Sequence, residues 1–278
     1  MNKVDMDGIL KEAHMGTLTG FWELDRKLEG GIRNGYLYLL AARPAMGKTM
    51  FAINMIDHIC RVEKKTALFF SLEMTRKQIV ERLIALEGHV DSRKIRDGDL
   101  QAKDWDNVID AAEIIKDMSV VIDDTPGLKI EEFREKCAGY KVLYNDLSVI
   151  FVDYIQLMSA SGHYDSRNHE IADILSGLKN IARELDVPVV VLSQLSRSVE
   201  IREDHVPLLK DLKEINVSDK DIDVVIFLYR DEYYYPDTER KGIAEIHVSK
   251  NHGGTQGLCE LVYIPDIMRF ANVPKDKK

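Results

Sequence analysis

Six runs of apolar, mostly β-branched residues recur along the chain, at 36–40, 67–71, 120–123, 147–154, 188–192 and 224–229, with longer helix-compatible stretches between them. Strands that are apolar on both faces and alternate with helices predict a mainly parallel sheet flanked by helices, an α/β architecture. Two further runs, 244–249 and 257–264, lie close together with a glycine-rich segment between them, which predicts a C-terminal β-hairpin with an exposed loop. The stretch 170–185 puts Ile171, Ile174, Leu175, Leu178, Ile181, Ala182 and Leu185 on one helical face. Another helix starts at Thr75, whose hydroxyl can cap it while Gln78, three residues on, completes a capping box. Residues 1–16 read as a short polar helix with little of its own to bury against, a linker remnant, and residues 17–278 as one domain with a frayed charged tail.

Composition mainly excludes. Hydrophobic residues are 45% and charged residues 31% of the 278, a soluble globular balance, and no apolar run reaches the roughly 18 residues of a membrane span. The first residues are mixed polar rather than a secretory leader, so a cytoplasmic protein without membrane contact is expected. Cys60, Cys137 and Cys259 are far apart and lack metal-ligand spacing, which predicts buried or neutral thiols. A net charge of -9 argues against a protein coated in nucleic acid but leaves room for a basic site inside a ring or cleft.

Candidate chemistry gathers at the ends of the predicted strands. Ala42-Arg43-Pro44-Ala45-Met46-Gly47-Lys48-Thr49 follow one apolar run and precede another, the strand–loop–helix order of a phosphate-binding P-loop. Its backbone N–H groups and the positive end of the following helix can surround a polyphosphate, with Lys48 reaching the β- and γ-phosphates and Thr49 holding magnesium. The usual pattern opens with Gly; Ala42 stands there, which predicts some loss of backbone freedom. The run at 147–154 ends in Asp153, the position of a magnesium-binding carboxylate. Glu73, after another run, suits either a general base for the attacking water or a helix-start acid that favours the macrodipole. Gln194 ends a third run, where a neutral amide can sense the γ-phosphate. Downstream, the polar stretches 196–202, with Arg197, and 210–214, with Lys213 and Glu214, read either as loops lining a binding surface or as solvated connections.

Together these motifs resemble the RecA-like ATPase domain of the DnaB family of hexameric replicative helicases, from about residue 17 to 270. The wording that carries the resemblance is the P-loop itself, Ser71-Leu72-Glu73-Met74, Val152-Asp153-Tyr154-Ile155-Gln156-Leu157-Met158, Val187-Pro188-Val189-Val190-Val191-Leu192-Ser193-Gln194-Leu195 and Tyr229-Arg230-Asp231-Glu232. Alanine at the first P-loop position is familiar in that family. The resemblance implies a RecA-like P-loop NTPase fold using ATP and Mg2+, with Glu73 as catalytic base, Asp153 and Thr49 as the magnesium site and Gln194 as γ-phosphate sensor. It also implies a homohexameric ring with ATP between neighbouring subunits. Single-stranded DNA would lie in the centre, on loops carrying Lys213, Glu214, Asn216 and Arg197, with a primase or a helicase loader as further partners.

Three departures from the family pattern qualify that expectation. The family's amino-terminal collar is not represented, and residues 1–16 are long enough only for the linker helix that packs on a neighbouring subunit. The trans-acting pair of lysine and arginine is here Lys250 and His252, and an imidazole is shorter and largely neutral at pH 7, so help from the neighbour should be weaker. The DNA loop, usually Asp-Leu-Arg-Glu-Ser-Gly, reads Asp211-Leu212-Lys213-Glu214-Ile215-Asn216, with a point charge in place of a guanidinium and no glycine. The expected function is an ATP-driven helicase motor that unwinds duplex DNA during replication. The alternative is a motor-deficient relative that binds or regulates a helicase ring, and a recombination or clock-type ATPase is a third, weaker reading.

Overall fold

The structure, a computed structural model, describes residues 16–215 and 220–274, with side chains for 16–212 and 220–274. The linker helix expected before residue 16, Asn216 and the side chains of Lys213 and Glu214 lie outside the described residues. The elements in chain order are α1 (Trp22–Lys27), β1 (Leu37–Ala42), α2 (Lys48–Asp57), β2 (Thr66–Ser71), α3 (Arg76–Gly88), α4 (Ser92–Asp97), α5 (Ala102–Lys116), β3 (Val120–Asp123), α6 (Ile130–Leu143), β4 (Leu147–Asp153), α7 (Arg167–Leu185), β5 (Val189–Gln194), β6 (Val224–Tyr229), α8 (Asp231–Tyr234), β7 (Ile243–Asn251), β8 (Gly257–Ile264) and β9 (Arg269–Asn272). They build one nine-stranded sheet in the order β3-β2-β4-β5-β1-β6-β7-β8-β9.

β3 to β6 in that order pair in parallel, and β7, β8 and β9 extend the sheet antiparallel. The central strands read as unbroken apolar runs because both their faces are buried. In β1, Tyr38, Leu40 and Ala42 enter one core while Leu37, Leu39 and Ala41 enter the other. Aromatic contacts tie the layers together: Phe21, at the start of α1, stacks on Phe51 of α2 at 4.8 Å between centroids, and Phe70 of β2 packs on Phe133 of α6 at 4.5 Å. Each fully buried phenylalanine contributes about 1.5–3 kcal/mol, so these contacts outweigh any helix cap in fixing the layers.

The expected capping box at Thr75 is present. Its hydroxyl accepts from Gln78 N at 3.3 Å and its own N–H donates to Gln78 Oε1 at 2.9 Å. The helix expected from residue 170 starts three residues earlier, where Ser166 Oγ accepts from His169 N. The hairpin forms as expected, but β7 runs on to Asn251, and a strand that periodicity did not reveal, β9, pairs with β8. β9 is only four residues long and depends on a buried polar side chain elsewhere: Asn54 Oδ1 accepts from Phe270 N at 2.9 Å, and Phe270 packs edge-on against Phe51. All three cysteines are buried free thiols; burial pushes the Cys60 and Cys259 thiols up to about 12, so they are inert at neutral pH. No described helix is long and apolar enough to cross a membrane.

The parallel arrangement has one consequence for chemistry. The last residues of β1, β2, β4, β5 and β6, namely Ala42, Ser71, Asp153, Gln194 and Tyr229, come out at the same edge of the sheet.

Candidate nucleotide site

The loop between β1 and α2 turns through two left-handed residues, Ala45 at φ 63° and Gly47 at φ 102°, before α2 begins at Lys48. Gly47 is needed twice over, since a Cβ there would lie 3.1 Å from Phe270 Cζ as well as strain the backbone. Ala45 carries a left-handed cost of roughly 1–2 kcal/mol, and Arg230 braces it by donating from Nη1 to the Ala45 carbonyl at 3.1 Å. Ala42 corrects the expectation drawn for the first loop position. It is the last residue of β1, in register with Gln194 and with no positive φ, so its methyl group costs nothing there.

Lys48 and Thr49 open α2 and face the ends of β2 and β4. Thr49 Oγ1 donates to Asp153 Oδ2 at 2.6 Å, while Asp153 Oδ1 is buried with no hydrogen-bond partner. Burial raises the Asp153 pKa against the opposing pull of Thr49 and Lys48, and burial lowers that of Lys48 against the pull of Asp153 and Glu73. Both groups are thus short of solvation, the condition that a bound polyanion with its counter-cation would relieve. A buried carboxylate oxygen without a donor costs on the order of 1–3 kcal/mol, so Asp153 Oδ1 fits a role toward a magnesium-bound water. The described residues hold no group of three or more His, Cys, Asp or Glu able to cage a metal by themselves.

Glu73 sits in the turn after β2. Ser71 Oγ donates to Met74 O at 2.7 Å and Leu72 N donates to Asp153 O at 2.8 Å, which pins this turn to the end of β4. The Glu73 side chain is exposed and lies within electrostatic reach of Lys48, Asp153 and Arg82. α3 begins after Thr75, so Glu73 stands outside the capped helix rather than inside its first turn. Gln194 ends β5 with its side chain exposed at the same edge.

Three further residues enter the site without having been singled out. Gln156 uses its amide as a surrogate strand: Nε2 donates to Ser193 Oγ at 2.9 Å and to Gln194 O at 3.0 Å, and its Oε1 accepts from Gln194 N at 3.2 Å. It stood in a quoted motif three residues after Asp153, but only the fold brings β4 and β5 side by side. Arg82, on α3 four residues beyond Gln78, borders a cavity of about 130 Å3 with Met74, Gln78 and Met268. It faces Asp153, Glu73 and Tyr263, burial lowers its pKa, and it forms no hydrogen bond or ion pair among the described residues. Tyr263 lies under Arg230, whose guanidinium is 3.8 Å from the ring centroid, and close to Gly47. Arg43, by contrast, turns its side chain away from the loop it belongs to: Nε and Nη2 donate to Glu200 Oε1 and Nη1 to Leu195 O.

Lys250 and His252 are not brought to this edge. Asn251 pairs with Val224 and Lys250 with Val225, at the opposite end of β6 from Tyr229, and His252 is exposed with its N–H on the Asp223 carbonyl. Five residue steps of about 3.3 Å separate the two ends of β6, roughly 16 Å, so within one chain the pair cannot meet Lys48. Arg197 is exposed on a short turn after β5, and the backbone of Lys213 and Glu214 lies in the turn Leu209–Ile215.

Comparison with known proteins agrees with this geometry. Residues 16–272 match the family model of the DnaB-like helicase C terminal domain. The chain is 41% identical over 261 residues to the replicative DNA helicase DnaC of Bacillus subtilis (strain 168) and 39% identical over 261 residues to the replicative DNA helicase DnaB of Geobacillus stearothermophilus; each alignment covers 94% of this chain and 57% of the relative. The chain thus spans little more than half the length of these relatives. Among solved structures, an isolated ATPase domain superposes with a TM-score of 0.90 at 34% identity, covering 98% of this chain and 100% of that one. A DnaB-like replicative helicase solved in a study of its interactions with primase gives a TM-score of 0.89 at 33% identity, covering 98% and 68%. A P-loop, an acid at one strand end, a second in the turn after another and an amide, all at one sheet edge of a domain that matches along its length, establish that the chain belongs to the family of DnaB-like helicase C terminal domains.

Proposed function

We propose that this chain is an ATP-hydrolysing motor domain of a replicative DNA helicase, working as a homohexameric ring on single-stranded DNA to unwind duplex DNA. The observation that carries this reading is the convergence of Lys48, Thr49, Asp153, Glu73 and Gln194 at one edge, with Asp153 Oδ1 unpartnered. Backbone N–H groups of residues 42–49 would wrap the phosphates and Lys48 would follow charge onto the γ-phosphate. Thr49 and Asp153 would hold magnesium, which when bound supplies positive charge against the phosphate oxygens. Glu73 would accept a proton from the attacking water, and Gln194, held by Gln156, would sense the γ-phosphate. The flat pair of Arg230 and Tyr263 beside Gly47 suits a nucleotide base. Lys250 and His252, set on the far end of the sheet, would serve the nucleotide of the next subunit, and residues 1–16 would link subunits. Lys213, Glu214, Asn216 and Arg197 would lie along the DNA, and a primase is a candidate partner because one structural neighbour was studied with it.

The test is ATP turnover with and without single-stranded DNA, followed by displacement of one strand of a forked duplex. DNA-stimulated turnover with strand displacement supports the motor; nucleotide binding without turnover in either condition would instead identify a regulatory relative. Replacing Lys213 with Ala should reduce the logarithmic salt slope of single-strand binding by about 0.7 for each phosphate the side chain had neutralised.

A further inference from the structure

The P-loop has a second set of bonds that nucleotide binding does not require. Arg43 is 8% exposed and all three of its guanidinium nitrogens are engaged. Nε and Nη2 donate to Glu200 Oε1 at 3.0 and 2.7 Å, and Nη1 donates to Leu195 O at 2.6 Å. Leu195 also donates its N–H to Ala42 O at 3.0 Å, so the segment after Gln194 is fastened to both of the first two residues of the phosphate loop. Arginine suits this position because a single planar group can bind a carboxylate and a carbonyl at once.

The fastened segment continues as one bonded unit. Arg202, two residues after Glu200, grips Asp211 at both carboxylate oxygens, 2.7 and 2.8 Å, and Asp211 Oδ2 also accepts from Leu208 N at 2.7 Å. Arg202 is therefore spent within the chain and is not a free phosphate ligand. Tyrosines at the end of β6, in α8 and just after it hold the middle of the unit: Tyr229 Oη donates to Asp204 O, Tyr235 Oη donates to Glu203 O, and the His205 ring stacks on Tyr234 at 4.3 Å. Asp211 lies in the turn Leu209–Ile215, which carries Lys213. An unbroken chain of bonds thus leads from residue 43 of the phosphate loop to the first described residues of the candidate DNA loop.

We propose that Arg43 and Glu200 are a positioning pair: through Arg202 and Asp211 they make the placement of the segment carrying Lys213 follow the conformation of the P-loop. The inference deepens the proposed function and rests on that reading for the identity of the DNA. Its physical content is that filling the loop with phosphates shifts residue 43, and a buried guanidinium cannot let go of the one carboxylate it holds among the described residues without leaving its charge unmatched. Glu200, at 39% side-chain exposure, can be replaced without opening the core.

The experiment uses the whole chain with Glu200→Ala and with the charge exchange Arg43→Glu plus Glu200→Arg. Hydrogen exchange is followed with and without a non-hydrolysable ATP analogue, and turnover with and without single-stranded DNA. In Glu200→Ala the KM for ATP and the basal kcat should stay within about twofold of the parent, and nucleotide should still protect amides 42–52. Nucleotide-induced protection of amides 195–211 should vanish, and DNA stimulation should fall at least fivefold, with partial recovery of protection in the charge exchange. Protection of 195–211 equal to the parent overturns the pair. So does a parallel loss of basal rate, stimulated rate and Tm with the stimulation ratio unchanged, which is the mark of a merely structural bridge. A parent that shows no DNA stimulation sinks the DNA reading alone, and the exchange arm still decides whether Arg43 and Glu200 act together.

Discussion

Two clusters at opposite ends of the sheet treat charge in opposite ways. At the end where β1, β4 and β5 finish, Asp153 keeps a buried oxygen without a partner, and Lys48 and Arg82 are buried enough to be held below their usual pKa ranges. At the other end, charge is matched within the chain. Asp223 Oδ2 accepts from Lys179 Nζ and from Leu37 N, each at 2.7 Å, and Lys179 also donates to Gly35 O. Similarly, where α2 and α3 run away from the P-loop, Arg61 bridges Asp57 and Glu87 at 3.0 and 3.2 Å. Unmatched buried polarity costs stability unless a ligand supplies the partner, whereas matched polarity is structure. The contrast also separates Lys250 and His252 from the chain's own nucleotide site, as the role proposed for them toward a neighbouring subunit requires.

The contrast is broken most severely at Lys48. Lys48→Ala should reduce ATP turnover about a thousandfold, in line with removal of a preorganised transition-state donor, while the thermal midpoint stays near that of the parent. Near-normal turnover in that variant would remove the unmatched end from the chemistry. Glu73→Gln should likewise lose turnover but keep nucleotide affinity, since the amide is isosteric and cannot take a proton, whereas Asp153→Asn should weaken magnesium-dependent binding as well. Titrations with a fluorescent ATP analogue and magnesium separate the two; equal affinities for Asp153→Asn and the parent would argue against a metal role.

At the matched end the expected loss is stability rather than rate. Asp223→Ala leaves Lys179, whose side chain is 16% exposed, without its carboxylate, and breaking such a pair should cost about 3 kcal/mol in denaturant unfolding. The basal kcat of the folded fraction should be unchanged. A loss below about 1 kcal/mol would mean that Lys179 finds water instead.

His252→Arg tests whether the matched end serves a neighbour. Turnover in the assembled state should rise roughly tenfold, less than the thousandfold of a full arginine finger because Lys250 already supplies charge, and nucleotide affinity should hardly change. Rate plotted against protein concentration should show the gain only where subunits associate. Superimposable curves for parent and variant would place His252 outside any shared active site.

The smallest effect expected is one of pH. Burial, then the hydrogen bond and charge of Asp57, push the Glu87 carboxyl up to about 7 against the pull of Arg61 and Arg269. The folded state therefore holds this proton more tightly than the unfolded chain, so stability is greatest at low pH and declines as pH rises from about 4.5 to 7, then levels off. The Glu87 side chain is only 11% exposed, but its Arg61 partner is 38% exposed and screened by water, so the change is expected to be about 1 kcal/mol. Melting curves from pH 5 to 8.5 should show Glu87→Gln losing this slope and gaining slightly on the parent at pH 8; identical slopes would assign the dependence to other groups.

What the amino-acid sequence determined by itself was local or periodic. The order of buried strands and helices follows from apolar runs, the start of α3 from Thr75 and Gln78, and the hairpin from the glycine-rich break before Gly257. The P-loop was legible because its residues are contiguous, and Asp153, Gln194 and Glu73 because the first two end a strand and the third follows one closely, positions that a parallel sheet turns into proximity. The tertiary structure alone decided the rest. β9 exists because Asn54, more than two hundred residues away, holds it. Gln156 reaches Gln194 only when β4 and β5 lie side by side, and Arg82 faces the two acids only through the angle at which α3 leaves the sheet. Arg43 looked like part of a phosphate cradle, yet its partner Glu200 lies 157 residues on. Backbone propensity and side-chain periodicity act over a few residues and are written in the chain, whereas a long side chain chooses its partner from whatever packing brings within about 3 Å, and that choice is made only when the sheet has formed.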